Sequence, residues 1–355
     1  RHHGELPPAA GDDADSGPLS GGGLGASGRG GADGGTFGPI SGSRCDGRPG
    51  FDAHVPDNGY IWWYVDALSD DGQHGLTIIG FVGSVFSPWY AWARRRRATS
   101  PENHVAMNVV LYGKAGKRWA MTERGRGALQ RDATNLRIGH SAMHWDGDAL
   151  TVTIDEVTAP IPSRIRGTVR VVPGAIGRKV VSLDKAGRHK WSPIAPSARV
   201  EVALERPQRG WSGNGYFDSN WGTRPLEQDF AGWHWCRAPV HDGTVILYNV
   251  TNCDGTRDAI ALHYDSQGTA RSFPPPPERS LGTSFWRLQR QTGAETGHDA
   301  RLLDTLEDSP FYARSVVATH LLGQDVTAMH EQLSLSRFDT PWMRLMLPFK
   351  APRWG

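Results

Sequence analysis

Tyr60-Ile61-Trp62-Trp63-Tyr64-Val65-Asp66-Ala67-Leu68, then Ser69-Asp70-Asp71-Gly72, then the return over residues 76–86, reads as a β-hairpin. Aromatic and β-branched residues fill both arms, and a Ser-Asp-Asp-Gly cluster turns the chain between them. The same punctuation recurs outward from this point. Residues 105–112 turn at 113–116 into 118–123, and further strands are expected at 149–157, 167–172 and 199–205. The second half repeats the texture. Strands are expected at 232–240, 244–251, 259–265, 285–290 and 312–322, with turns at His241-Asp242-Gly243, 252–255 and Ser266-Gln267-Gly268. No stretch longer than about 12 residues carries a 3.6-residue apolar period, so helices are expected to be few, short and peripheral. The fold class is all-β and antiparallel.

A chain of 355 residues accommodates two ordinary domains. Two β-barrel or sandwich units joined near residue 205 account for the length. Residues 1–44 are dominated by Gly, Ala, Ser, Asp and Pro, bury too little apolar surface to offset their ordering entropy, and are expected to be a disordered extension. The expected domains are then 45–205 and 206–340, with an amphipathic C-terminal tail over 341–355. Pro274-Pro275-Pro276-Pro277 is read as a stiff connector between strands.

The 39 basic and 37 acidic side chains leave a formal charge of +2, which supplies no long-range field for a polyanion; nucleic acid is not an expected partner. Cys45, Cys236 and Cys253 have no Cys-x-x-Cys spacing, and their odd number closes no disulfide framework, so they are read as reduced and the chain as cytosolic. No basic stretch followed by an apolar run marks a secretory signal, and no window of roughly 18 apolar residues spans a bilayer. His140 and His144 have helical ligand spacing, but their segment reads as strand and turn, and His330-Glu331 lacks a second zincin histidine. No metal site is expected. The basic run Arg94-Arg95-Arg96-Arg97 follows the aromatic Pro88-Trp89-Tyr90-Ala91-Trp92, which suits either a solvated loop or an anionic lipid surface.

One stretch carries chemistry: Gly210-Trp211-Ser212-Gly213-Asn214-Gly215-Tyr216-Phe217-Asp218-Ser219-Asn220-Trp221-Gly222. Strand alternation puts Tyr216, Asp218 and Asn220 on one face and Phe217 and Ser219 on the other. A carboxyl group between Tyr and Asn, fringed by Trp211 and Trp221, belongs in a largely apolar pocket, where its pKa rises. In His189-Lys190-Trp191, His189 and Trp191 share a face. In Gly232-Trp233-His234-Trp235, Trp233 and Trp235 lie opposite His234. Singly, each has an ordinary structural use. Together they supply acid, base and aromatic faces, the parts needed to form and quench a carbocation.

These motifs, with the 60–67 run, Gly80-Phe81-Val82-Gly83-Ser84-Val85-Phe86-Ser87-Pro88-Trp89-Tyr90, Pro101-Glu102-Asn103-His104 and Trp119-Ala120-Met121-Thr122-Glu123-Arg124, resemble the carotenoid 1,2-hydratases, also called hydroxyneurosporene synthases, of purple photosynthetic bacteria. The likeness covers roughly residues 45–340, and the Gly-rich N-terminus lies outside it. It implies two lipocalin-like β domains and cofactor-independent hydration of the terminal C1–C2 double bond of a lycopene- or neurosporene-type carotenoid. It also implies catalytic roles for His189, Trp191, Tyr216 and Asp218.

On that basis Asp218 is expected to protonate C2 and Trp191 to face the tertiary cation left at C1, while His189 and Tyr216 orient a water and take its proton. Trp211, Asn220, Trp221, Trp233 and Trp235 are expected to line the substrate. The expected partners are an acyclic carotenoid, water and a lipid surface, with the chain held peripherally on the cytoplasmic side of the bacterial inner, photosynthetic membrane. The competing readings are a non-catalytic lipocalin-type carrier, a related β-barrel polyene cyclase and, more remotely, a carbohydrate-binding sandwich.

Overall fold

In the computed structural model, which describes residues 46–355 other than 115, strand β1 (Tyr60–Ser69) is buried along both faces. Ile61, Trp63, Val65 and Ala67 enter the core of a first curled sheet, whereas Tyr60, Trp62 and Tyr64 enter a second apolar cluster outside it. A strand covered on both sides loses the polar and apolar alternation of a surface strand. That explains its unbroken aromatic sequence.

The first sheet continues in chain order with β2 (His74–Val82), β3 (Val105–Gly113), β4 (Arg118–Arg124), β5 (Leu129–Arg131), β6 (Asn135–Ile138), β7 (Ser141–Trp145), β8 (Leu150–Val157), β9 (Arg164–Pro173), β10 (Val181–Ser182), β11 (His189–Arg206) and β12 (Gln208–Gly222). Its order is β22-β4-β3-β2-β1-β12-β11-β9-β8-β7-β6-β5, where β22 (Arg353–Trp354) adds in parallel to β4 and β10 pairs with β11. The sheet curls so that Leu136, Ile138 and Met143 pack with Met107 and Val109 in one core. Arg124 of β4 is ion-paired with the buried Glu156 of β8 at 3.0 Å across the closure.

The second sheet has the order β16-β15-β14-β13-β21-β20-β19. Its strands are β13 (Phe230–Val240), β14 (Gly243–Asn252), β15 (Arg257–Tyr264), β16 (Ala270–Ser272), β19 (Arg301–Asp308), β20 (Tyr312–Leu321) and β21 (Gln324–Ser334), and a separate hairpin pairs β17 (Glu278–Thr283) with β18 (Gln289–Gly293). One face of this sheet, carrying Cys236, Val245, Leu247 and Val317, forms its own core. The other face, carrying Trp233, Trp235, Ile246, Tyr248 and Leu262, meets Tyr60, Trp62, Tyr64, Trp191 and Tyr216 of the first sheet. The two sheets therefore share an aromatic seam. Helices are short: α1 (Pro88–Arg96), α2 (Leu335–Phe338) and α3 (Pro341–Lys350). Among the described residues no helix is long and apolar enough to cross a membrane.

Three expectations are corrected. The boundary expected at residue 205 falls at the tip of the hairpin joining β11 to β12, two strands of one sheet; the chain passes to the second sheet between Gly222 and Phe230. The stretch over 88–96 is helix α1, started by Ser87, whose side chain accepts from the Trp89 N–H, and by Pro88 in the first turn, and Arg97 is the extended residue that caps it. The strand expected from 285 begins at Gln289, because Arg287 has φ 60° and its carbonyl and that of Trp286 accept from Arg337 in a turn. The expected tail is also anchored: α3 packs under Phe86 and Phe311, and β22 joins the first sheet. The extension expected over residues 1–44, and Cys45 after it, lie outside the described residues.

Candidate active site

Asp218 sits on β12, opposite Tyr64 of β1 and Pro193 of β11. Tyr216, Asp218 and Asn220 share the seam face, as their spacing predicts, and Phe217 turns into the first-sheet core. The Trp191 indole N–H donates to Asp218 Oδ2 at 2.8 Å and lies 3.2 Å from the Tyr216 hydroxyl. That hydroxyl donates to the same Oδ2 at 2.7 Å. Asp218 Oδ1 has one neighbour, the Asn220 amide at 3.3 Å, and the Asn220 carbonyl oxygen is buried without a partner. Two donors converge on Oδ2, so a proton on this carboxyl group resides on Oδ1.

The second sheet roofs the site. Trp235 lies 5.2 Å from Tyr216 and 5.9 Å from Tyr64, ring to ring, and Tyr248 lies 5.2 Å from Trp191 and 6.1 Å from Trp233. Asp218 is 3% exposed. Burial pushes its pKa up to about 8; the Tyr216 and Trp191 bonds pull the other way, and the carboxylates of Glu331 and Asp66 add to the rise. The side chain is a neutral acid at pH 7. Its hydrogen-bond partners include no basic group.

Beside it runs a charged network that bridges the sheets. Asp66 is ion-paired with Arg237 and Arg314, and Arg314 with Glu331. The Tyr64 hydroxyl lies 3.0 Å from Asp66 and 2.9 Å from Glu331, and the Tyr312 hydroxyl donates to Glu331 at 2.9 Å. Two carboxylates face two guanidinium groups, so these charges cancel locally. Asp218 is left as the acid without a cation.

His189 is placed differently from expectation. Its Nδ1 is 2.9 Å from the Tyr60 hydroxyl and its Nε2 is 2.8 Å from Asp229. Burial lowers its pKa, against the opposing pull of the Asp229 bond. Burial alone would raise Asp229, but hydrogen bonds from Arg224 and His189 outweigh it and bring that group down to about 2. The neutral ring therefore gives Nε2–H to an ionised Asp229 and accepts the Tyr60 O–H at Nδ1. Both nitrogens are engaged away from Asp218. Gly222 is required here, since a Cβ at that position would stand 2.6 Å from Nδ1.

The structure brings Trp191, Tyr216, Asp218 and Asn220 together and sets Trp233 and Trp235 above them. Trp211 and Trp221 are not with them: odd-numbered positions of β12 face the first-sheet core, where both pack. Tyr64, Asp66, Tyr248, Arg237, Arg314 and Glu331 were not foreseen. The available signal was Asp66, a lone carboxylate in an otherwise apolar strand. A cavity of about 300 Å³ opens at the start of β13 with Trp233 in its wall. The aromatic side chains around Asp218 are all buried, Trp191 and Tyr216 completely, so a molecule reaching Asp218 displaces some of them.

The family model described as "Carotenoid hydratase CrtC" matches residues 78–355. The acyclic carotenoid 1,2-hydratase of Thiocapsa roseopersicina is 55% identical over 341 residues, covering 96% of this chain and 84% of that protein. Its counterpart from Rubrivivax gelatinosus is 52% identical over 311 residues, covering 86% and 76%. Among solved structures, an AttH-type protein of Nitrosomonas europaea superposes with a TM-score of 0.56 at 16% identity, covering 79% of this chain and 93% of that one, a likeness of fold alone.

Proposed function

The chain belongs to the carotenoid hydratase family and is a hydro-lyase that hydrates an acyclic carotenoid, and from that premise we propose that Asp218 is the acid that starts the reaction. The carrying observation is the buried carboxyl group, its pKa pushed up to about 8, whose Oδ2 accepts from Trp191 and Tyr216, which leaves Oδ1 to carry the proton. An isolated trisubstituted alkene is a weak base, so it needs such a donor held protonated at neutral pH and placed within about 3 Å of the accepting carbon. Oδ1–H breaks, a C–H bond forms at C2, and a tertiary cation is left at C1. The ionised Asp218 then keeps its two hydrogen bonds, which now stabilise a carboxylate.

The rings of Trp191, Tyr216 and Trp235 surround the developing cation. A desolvated aromatic face contributes about 2 kcal/mol to such a cation, roughly 30-fold in rate. One water, oriented by the Tyr216 hydroxyl, adds at C1, and its proton returns to Asp218 Oδ1, the oxygen that gave one up, which restores the acid. In this reading His189 positions: it locks Tyr60 and the loop carrying Asp229 at the edge of the seam. The reaction is cofactor-independent and metal-independent, since the chain's own side chains supply every proton transfer. We further place the chain on a lipid surface, as a peripheral protein of the cytoplasmic side of a bacterial inner membrane.

Purified chain is incubated with lycopene in micelles and ¹⁸O-labelled water, and the label is located by mass spectrometry. One labelled oxygen at C1 is expected, with Asp218→Asn inactive yet still binding the polyene. Substantial turnover by that variant removes Asp218 from the acid role. A product of unchanged mass identifies a cyclase, and binding without turnover identifies a carrier.

A further inference from the structure

The aromatic side chains around Asp218 are buried, so the polyene needs a way in, and that way must begin where the polyene is dissolved. An acyclic carotenoid is a hydrocarbon and partitions into lipid. One side of the molecule has the composition of a lipid-facing surface. Helix α3 buries Met343 and Leu347 against Phe86, Phe311 and Phe338, yet its outer positions are also apolar, with Leu345 71% and Phe349 63% exposed. A helix at an aqueous surface carries polar residues on that outer side.

Helix α1 packs beside it, the Trp89 indole N–H donating to the Ala351 carbonyl at 2.9 Å. Arg95 of α1 and Arg344 of α3 converge on Asp339, and α1 ends on the exposed Arg96 and is followed by the exposed Arg97. Exposed Phe285 and Trp286 are tied to α2 by Arg337, which donates to the Trp286 carbonyl at 2.7 Å. Apolar prongs beside guanidinium groups match an anionic bilayer, hydrocarbon below and phosphates above. From this side an aromatic path leads inward. Phe86 lies 5.8 Å from Phe338 and 6.2 Å from Trp62, and Trp62 stacks on Tyr60 at 5.0 Å, within the cluster that contains Trp191 and Tyr216.

We infer that the face formed by α1 and α3 docks on an anionic lipid bilayer, and that the α2–α3 segment with Phe86 is where a lipid-dissolved polyene passes into the seam. The identity of the polyene rests on the hydratase reading; the docking does not.

The full chain is cosedimented, without carotenoid, with vesicles of phosphatidylcholine alone and of phosphatidylcholine with phosphatidylglycerol. Tighter binding to the anionic vesicles, weakened by salt, is expected. Leu345→Ser with Phe349→Ser should lower the partition coefficient at least about tenfold with an unchanged melting temperature. Arg96→Glu with Arg97→Glu should abolish the preference for anionic lipid. Failure of the unaltered chain to bind either vesicle, or equal binding by the serine variant, overturns the inference. So does conversion of a dimer to a monomer by the serine substitutions, which assigns the face to a second copy of the chain. With lycopene supplied, the serine variant should lose about tenfold turnover in vesicles and keep full turnover in micelles; equal loss in both overturns the access route. Vesicle binding by a chain that never hydrates lycopene leaves the docking standing and removes the hydratase mechanism.

Discussion

Asp218→Asn should abolish hydration and stabilise the fold, and the stabilisation should depend on pH in a way that reports the acid directly. The unfolded chain ionises Asp218 near 3.8, whereas the folded chain holds the proton up to about 8. A folded-state pKa above the unfolded one means that stability is fully present below 3.8 and is lost as pH rises toward 8. At about 1.36 kcal/mol per unit, folding at pH 7 carries a penalty of about 4 kcal/mol, growing to about 6 kcal/mol above pH 8 and shrinking to under about 2 kcal/mol at pH 5.

The amide has nearly the shape of the acid. Its oxygen can accept from Tyr216 and Trp191, and its NH2, placed where Oδ1 now accepts from the Asn220 amide, can donate to the partnerless Asn220 oxygen once that amide turns over. It never ionises. At roughly 1.5–2 °C per kcal/mol for a chain of this size, the variant should melt about 6–8 °C above the unaltered chain at pH 7. Circular dichroism melts of both proteins at pH 5, 7 and 9, beside the labelled-water assay, check this. A difference in melting temperature that is the same at pH 5 and pH 9, or a variant that still hydrates lycopene, refutes a neutral Asp218. The same titration predicts that kcat of the unaltered enzyme falls as pH rises through about 8.

Tyr216→Phe removes a donor that favours the carboxylate, so the alkaline fall in kcat should move to higher pH while kcat drops about 10- to 100-fold; a pH–rate profile reads both. Arg314→Met leaves Asp66 and Glu331 short of a buried counter-charge and should cost about 3–5 kcal/mol, lowering the melting temperature by several degrees. Prolonged dialysis against EDTA should leave turnover unchanged; loss of activity that zinc restores would break the metal-independent mechanism. The metal-capable group found among the described residues, His298, His320 and Asp325, lies outside the aromatic seam.

The period of two in the strand made the Tyr216, Asp218 and Asn220 face legible, and the structure keeps it. The same rule, applied to odd positions, also sends Trp211 and Trp221 into the opposite core; proximity along the chain was a poor guide to proximity in space. Long-range pairing is where local reading stops. The Asp66–Arg314 contact joins residues from two sheets, and no pattern near Asp66 points to its partner. The hairpin tip at Arg206-Pro207 resembles a domain joint in sequence, because β11 is an 18-residue strand that carries both Pro193 and Pro196. Those prolines lack an N–H for the ladder and lie where the register shifts, between Pro193 and Ala195 and again between Ala195 and Ala198. The bulges have a functional consequence. They let one strand present His189 and Trp191 to the seam and then, past the shifts, turn Val200, Val202 and Leu204 into the first-sheet core. Trp191 therefore reaches Asp218 from a strand whose other half is packed into the first-sheet core, and the two donors that hold Oδ2 are fixed by packing before any substrate arrives.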